Sequence, residues 1–340
     1  MQRKRALQMV KAISLLSGGL DSILATKLIL DQGIEVEAVN FKTVFCNCTP
    51  KNGSCMVSKT AAETLGIKLK VFEVSREYFE VIKNPKHGYG KNINPCIDCR
   101  IFMFKKAKEY MEASGASFVI TGEVLGERPM SQRKNAIGLI ERESGLEGLI
   151  VRPLSARLFS PSIPEKEGLV DREKFLSIEG RCRKPQINLA KDLSINDYPC
   201  PSGGCLLTYE GFANKMRDLI KYKPNFTIND VELLKTARYF RLGPKAMLFV
   251  GRDQQQNIHL DALAKENDIR LQINNAAGPV GIGRGEFTKE LIDQSASIVA
   301  RYSDHNGNRV SIGHNKLPDT ETNFIEIYPA EEAFLSHLRV

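Results

Sequence analysis

No apolar stretch in this 340-residue chain approaches the roughly 20 residues a helix needs to cross a bilayer, so nothing in it reads as a membrane span. Internal repeats, low-complexity tracts and sustained heptads are absent, which argues against solenoids and coiled coils. No G-x-x-x-x-G-K-[ST] sequence occurs, so the phosphate loop of Walker A proteins is missing. Arg3, Lys4 and Arg5 start the chain in the manner of a secretory leader. Lys11, however, interrupts the stretch that follows, and the expectation is a cytoplasmic protein. What remains is ordinary globular composition, 42% hydrophobic and 26% charged, at a length that suits two or three domains. A net charge of +8 is compatible with a nucleic-acid partner without requiring one.

The most informative segment present is Ser17-Gly18-Gly19-Leu20-Asp21-Ser22, directly after the apolar run Ala12-Ile13-Ser14-Leu15-Leu16. A strand feeding a glycine-rich turn that opens a helix makes a phosphate cradle. Its backbone N–H groups point outward, and the helix dipole adds partial positive charge. The glycines let the backbone come close to an anion. Asp21 and Ser22 are read as the helix cap, Ile23, Leu24, Leu28 and Ile29 as its apolar face, and Gly33 as its end. A tight turn without a ligand is the plain alternative. The specificity of the pattern, and its place between strand and helix, argue against it.

Further strands are read at Val36–Phe41, Leu69–Val74, Phe118–Ile120 and Leu149–Val151, with helices near Val57–Leu65 and from Cys99 to Ser114. This alternation predicts an α/β fold, a parallel sheet with helices on both faces. Ligands of such sheets bind beyond the carboxyl ends of the strands. Ser17–Ser22, Cys46–Cys55 and Thr121–Glu123 all fall at such ends. Ser155 to Pro185 is rich in proline and charge and reads as a long connection. Ile187–Ser194 reads as helix, Tyr198–Cys205 as a turn-rich loop, and Phe212–Tyr222 as a basic helix. A second unit begins near Thr227. Its helices are expected at Val231–Tyr239, Gln255–Lys265 and Thr288–Tyr302, and its strands at Ala246–Val250, Ile269–Ile273, Arg309–Gly313 and Phe324–Tyr328. The expected organisation is a nucleotide domain over 1–160, a connecting segment over 161–227 and a smaller α+β domain over 228–340.

The eight cysteines are clustered: Cys46, Cys48 and Cys55; Cys96 and Cys99; Cys182, Cys200 and Cys205. In a reducing compartment such clusters suggest metal or redox chemistry rather than structural disulfides. Cys96 and Cys99 form a C-x-x-C at an expected helix N-terminus, a position that lowers thiol pKa and favours the thiolate. The plain alternative is a pair of buried free thiols. Cys46-x-Cys48-x₆-Cys55 could bind Zn²⁺ with a fourth ligand such as Cys182, relay sulfur, or stay unliganded. His87 is read as a surface histidine. The groups Arg128, Arg133, Lys134 and Arg181, Arg183, Lys184 are read either as phosphate contacts or as solvated faces.

The glycine-rich turn resembles the PP-loop of the ATP pyrophosphatase family, whose members split ATP between its α and β phosphates and leave AMP on the substrate. The resemblance implies that Ser17, Gly18, Gly19, Asp21 and Ser22 hold the pyrophosphate and its Mg²⁺. Gly122, in Thr121-Gly122-Glu123, matches the glycine on the adenosine side. Pro95-Cys96-Ile97-Asp98-Cys99-Arg100-Ile101 and Ser202-Gly203-Gly204-Cys205-Leu206-Leu207 resemble the two cysteine segments of the tRNA 2-thiouridylases, with Cys205 lying 106 positions after Cys99. Gly126-Glu127-Arg128-Pro129-Met130-Ser131-Gln132 is similar to the 4-thiouridine synthetases. Residues from about 228 to 340, with Phe240-Arg241-Leu242 and Val250-Gly251-Arg252, resemble the RNA-binding domain of NFACT-type proteins.

Taken together, these resemblances imply a tRNA thiouridine synthase. ATP would activate a uridine carbonyl, and sulfur would replace the oxygen. Asp21, Cys96, Cys99 and Cys205 would carry the chemistry. Two sulfur routes remain open: a persulfide on Cys205, or a [4Fe–4S] cluster held by Cys96, Cys99 and either Cys205 or Cys200. The presence of both Cys96 and Cys99 favours the cluster. Expected partners are tRNA, a sulfur donor (sulfide, or a cysteine desulfurase or other persulfide carrier) and a second copy of the chain. The rival functions are adenylation of a small molecule and non-catalytic RNA binding.

Overall fold

Strand β1 (Lys11–Leu15) alternates its side chains between two buried layers, and this decides the architecture of the first half of the chain. The computed structural model describes residues 10–46, 54–198, 205–274, 277–304 and 307–340, with the side chains of 54–56 excepted. Two compact units result, 1–206 and 207–340.

The first unit runs β1, α1 (Leu20–Leu30), β2 (Glu35–Lys42), α2 (Ser54–Leu65), β3 (Leu69–Glu73), α3 (Ser75–Lys83), α4 (Cys96–Ala113), β4 (Phe118–Ile120), α5 (Lys134–Ser144), β5 (Ile150–Val151), α6 (Ile163–Lys166) and α7 (Lys184–Asp192). Its five strands are parallel, in the order β3-β2-β1-β4-β5. Ala12 and Leu16 face one layer with Leu20, Leu24 and Ile29 of α1 and Ala190 of α7. Ile13 faces the other, with Ile101, Phe104 and Met111 of α4 and Ile140 of α5. Helices therefore cover both faces, as expected. Because β2 and β4 flank β1 on opposite sides, the winding reverses beside β1, and a crevice opens at its carboxyl end.

Helix α1 begins at Leu20 with Gly19 as its N-cap, so Asp21 and Ser22 sit in the first turn and are not the cap the sequence suggested. Ser22 is used differently: its Oγ donates to Gly19 O at 2.8 Å. Helices α3 and α5 were not anticipated. Both are short and charged, and their apolar residues (Tyr78, Phe79 and Ile82; Ile137 and Ile140) become a stripe only once wound.

The second unit runs α8 (Glu210–Tyr222), α9 (Ile228–Thr236), β6 (Arg238–Gly243), β7 (Ala246–Val250), α10 (Gln254–Leu263), β8 (Ile269–Ile273), β9 (Val280–Gly285), α11 (Lys289–Arg301), β10 (Val310–Lys316), β11 (Asn323–Ile327) and α12 (Glu332–Leu338). Its six strands, in the order β11-β10-β8-β9-β7-β6, are all antiparallel, giving an α+β unit. The basic helix α8, placed above in a connecting segment, lies in this unit. Strands β6 and β9 and helix α12 escaped the sequence reading. In β9 the glycines hide the strand but permit packing: a Cβ on Gly281 would lie 2.6 Å from Val299 Cγ2 of α11. Acidic and basic residues are equal in number over 207–340, so the whole excess of +8 belongs to residues 1–206. No helix among the described residues is long and apolar enough to cross a membrane.

Candidate active site

Two glycines shape the turn after β1. Gly18 has φ +81°, and a Cβ there would lie 2.6 Å from Val57 Cγ1 and 2.8 Å from Ser58 N of α2. Both the left-handed backbone and the close approach exclude a side chain. Gly122, just past β4, is tighter still: its Cβ would fall 2.5 Å from Asp21 C, Asp21 O and Ser22 N. The end of β4 thus lies directly against the first turn of α1. Gly19 N donates to Ser17 Oγ (3.3 Å), and the Ser17 and Ser22 hydroxyls lie 3.2 Å apart. Ser14 and Thr26, buried and 2.6 Å apart, pin α1 to β1. Ser17, Gly18, Gly19, Asp21, Ser22 and Gly122 are therefore brought together at the crevice, where the amino end of α1 offers its N–H groups.

Sequence reasoning missed part of the wall facing Asp21. Burial pushes the Asp21 carboxyl up, against the lowering effect of Arg183, Gln186 and Arg128. Glu127 is raised too, first by burial and then by Asp21 itself. Asp21 Oδ1, Arg183 Nε and both amide atoms of Gln186 are buried without a hydrogen bond of normal geometry. Arg183, read above either as a phosphate contact or as part of a solvated face, comes from the start of α7 together with the unanticipated Gln186. Only the path of the chain reveals them: Gly180 N donates to Leu125 O (2.7 Å), Ile178 N donates to Leu154 O (2.8 Å), and Ser155 Oγ donates to Ile178 O (2.6 Å).

The thiols gather nearby. Cys96 opens α4 and Cys99 follows in its first turn. The Tyr78 hydroxyl bonds the Cys99 sulfur, and Cys96 and Cys205 also act on Tyr78. Cys46 lies close enough to affect Cys99. Leu206 N donates to Phe45 O (3.4 Å), which ties the segment after Cys205 to the loop after β2. Tyr78, Phe45 and Phe79 form an aromatic floor with centroids 6.1 Å from the Phe45 ring. Cys46 therefore sits with the C-x-x-C group; its expected companion Cys48 and the alternative ligand Cys200 fall outside the described residues, as does the side chain of Cys55. Cys182 is exposed. Among the described residues no three Cys, His, Asp or Glu form a ready-made metal cage.

The expected lowering of thiol pKa is not found. Burial raises both Cys96 and Cys99, outweighing Arg128 and Arg100 at Cys96, and Tyr78 and Arg100 at Cys99. Alkylation of these two thiols should therefore rise with a midpoint above about 8.5, the value of a free cysteine, which a pH series with iodoacetamide and mass mapping reads directly. The folded state holds these protons more tightly than the unfolded chain does. Their contribution to stability is consequently complete below the unfolded thiol pKa and is lost as pH rises through the folded one.

Arg128 connects the two groups. Its guanidinium lowers both the Asp21 carboxyl and the Cys96 thiol, although α1 and α4 cover opposite faces of the sheet. A second link runs through Glu123, which is 1% exposed: Arg100 Nε of α4 lies 3.5 Å from its Oε1, and Arg152 Nε donates to its Oε2 at 3.1 Å. Glu123→Ala would leave the buried Arg152 with Glu141 as its remaining partner and should cost about 1–3 kcal/mol of unfolding free energy in urea titrations. Asp98, between the two cysteines, accepts the N–H groups of Lys86 and His87 at 3.1 and 3.0 Å. His87 is not the surface residue expected: its side chain is largely buried, with Nε2 3.2 Å from Glu143 Oε1.

A parallel sheet whose winding reverses beside β1, with a glycine-rich turn at that point, defines an α/β domain with a candidate phosphate site. More particularly, residues 8–157 match the family model of thiamine biosynthesis protein (ThiI), and residues 237–339 match that of the NFACT protein RNA binding domain. The tRNA-specific 2-thiouridylase MnmA of Petrotoga mobilis is 32% identical over 130 residues, 34% of this chain and 35% of that protein. A probable tRNA sulfurtransferase of Methanothermobacter thermautotrophicus is 24% identical over 246 residues, 70% of this chain and 54% of that protein. This chain thus spans about a third and about half of their lengths. A solved 4-thiouridine synthetase–RNA complex with bound ATP is 21% identical, with a TM-score of 0.37 over 66% of this chain and 52% of that one.

Proposed function

We propose that this chain is an ATP-dependent tRNA thiouridine synthase. A uridine carbonyl oxygen attacks the α-phosphorus of ATP, the α–β bond breaks and pyrophosphate leaves. Sulfide then attacks the activated carbon, the C–O bond breaks, AMP departs and the sulfide proton passes to solvent. The N–H groups of Ser17–Ser22 and the amino end of α1 bind the charge of the departing pyrophosphate. Asp21 and Glu127, two carboxylates side by side, are suited to a Mg²⁺ on those phosphates. Arg128 and Arg183 add positive charge around them.

Cys46, Cys96, Cys99 and Cys205 suit an iron–sulfur group in the chemistry of their donors, and Cys96, Cys99 and Cys205 are the three assigned to it. When bound, a [4Fe–4S] cluster supplies an open iron site on which sulfide is held. The protonated thiols must lose their protons to bind it, so loading is favoured by rising pH.

One observation supports this reading most: the Arg128 guanidinium acts on both Asp21 and Cys96, as it would with a sulfur site beside the bond to be activated. The names of the relatives and the NFACT-type domain support tRNA as the acceptor. The test is anaerobic incubation of the iron-reconstituted protein with tRNA, ATP and sulfide. Thionucleoside, AMP and pyrophosphate should form in equal amounts. AMP formed with a small acceptor and no tRNA would replace this reading with small-molecule adenylation. No ATP turnover, together with tight tRNA binding, would leave an RNA-binding protein.

A further inference from the structure

The start of α7 presents a fully buried glutamine and a partly buried arginine to the phosphate turn, and each leaves a buried polar atom without a hydrogen bond of normal geometry. Gln186 is 0% exposed, yet both its amide oxygen and amide nitrogen lack a hydrogen bond of normal geometry. Arg183 Nε and Asp21 Oδ1 are buried in the same state. Each such group costs roughly 1–3 kcal/mol when left unmade, and native proteins seldom tolerate several at one spot. The residues are not adrift. Ala190 of α7 is buried against the α1 layer, and the stretch before it is tied to the end of β4 by Leu125–Glu179 bridging and by the Gly180-to-Leu125 bond. A held element that aims unpaired polar atoms at a charged turn is shaped for a polar ligand.

The charges around this spot say which kind. Asp21 and Glu127 are acidic, and Arg183 and Arg128 flank them. Neither arginine has an ion pair of normal length among the described residues, whereas Arg100, Arg152 and Arg172 all do. Two uncommitted guanidinium groups beside two carboxylates match a polyphosphate with its divalent cation: the cation is taken by the carboxylates and the oxygens by the arginines.

We infer that Arg183 and Gln186 are nucleotide-site residues, Arg183 binding the β,γ-phosphates that leave as pyrophosphate and Gln186 positioning Asp21. This rests on the ATP-dependent reading above and adds a second wall to its phosphate site. The turn at Ser17–Ser22 supplies backbone donors from one side, and α7 supplies a formal charge from the other. Because α7 belongs to the return segment and not to the sheet, this wall is contributed from outside the strand–turn–helix signature.

The binding test uses the whole 340-residue chain without tRNA. Calorimetry measures the affinities for ATP, inorganic pyrophosphate and AMP in the presence of Mg²⁺, and thermal unfolding is followed alongside. Arg183→Gln should weaken ATP and pyrophosphate by about 10- to 100-fold, with AMP affinity and melting temperature little changed. Arg183→Lys should recover part of the loss. Gln186→Leu keeps the size and removes the amide; with tRNA then added, it should lower ATP turnover more than ATP affinity. Wild-type pyrophosphate affinity in Arg183→Gln overturns the inference while leaving the ATP reading intact. So does an equal loss for AMP and pyrophosphate accompanied by a lower melting temperature. A wild-type protein that binds neither ATP nor pyrophosphate overturns both.

Discussion

Replacing Gly122 by valine should abolish ATP binding, by more than about 100-fold in calorimetry, while lowering stability by only about 1–3 kcal/mol. The reason is geometric. A Cβ at this position would stand 2.5 Å from three backbone atoms of Asp21 and Ser22, and backbone cannot step aside as a side chain can. The first turn of α1 must then shift away from β4, taking with it the N–H groups and the Asp21 carboxyl that shape the phosphate site. Gly122→Ala should do nearly the same, since the clash begins at Cβ. Gly138→Ala is the control: its Cβ would meet only Arg142 Nη1, at 3.5 Å, an ordinary contact. Unchanged ATP affinity in Gly122→Val would mean that the approach of β4 to α1 plays no part in holding nucleotide.

The second large effect separates sulfur transfer from activation. Cys96→Ser and Cys99→Ser should each reduce thionucleoside formation by about 10³-fold or more, as loss of a group essential to the chemistry does. tRNA-dependent exchange of pyrophosphate into ATP should remain within about threefold of wild type. The two functions depend on different elements: activation uses the ends of β1 and β4, whereas the thiols sit on α4, on the loop after β2 and at Cys205. Cys182→Ser should leave both readouts unchanged, because Cys182 is exposed. If exchange collapses along with thiolation, the thiols support the nucleotide site structurally. Cys205→Ser and Cys46→Ser then rank the remaining donors: the one whose loss also removes iron and visible absorbance is a ligand.

Much of the first unit could be read from the chain because its signals are local. The apolar run before Ser17, the glycines of the turn and the stop at Gly33 each act within a few residues, and β1, β4 and most of α1 lie where those signals put them. The capping of α1 was misread because Asp21 and Ser22 are good cap residues in general; here Gly19 takes the cap position, and Asp21 is turned toward Arg183 and Gln186. Thiol ionisation was misread for a related reason. Position at a helix end is visible in sequence, but the burial that overrides it is not. Arg183 was legible only as one of a basic group that could meet phosphate or face solvent, and Gln186 was out of reach. They meet Asp21 across more than 160 positions of chain, through a return segment whose prolines and charges suggested only a connection. In the second unit, β9 was hidden by the glycines that let α11 and Phe287 press against it.

The uneven division of charge has a thermodynamic corollary. A polyanion gripped by residues 1–206 releases condensed counterions, so that grip must loosen steeply as ionic strength rises. Residues 207–340 carry no net charge, so anything anionic they hold should lose affinity with potassium chloride only in proportion to the phosphates that individual lysines and arginines neutralise.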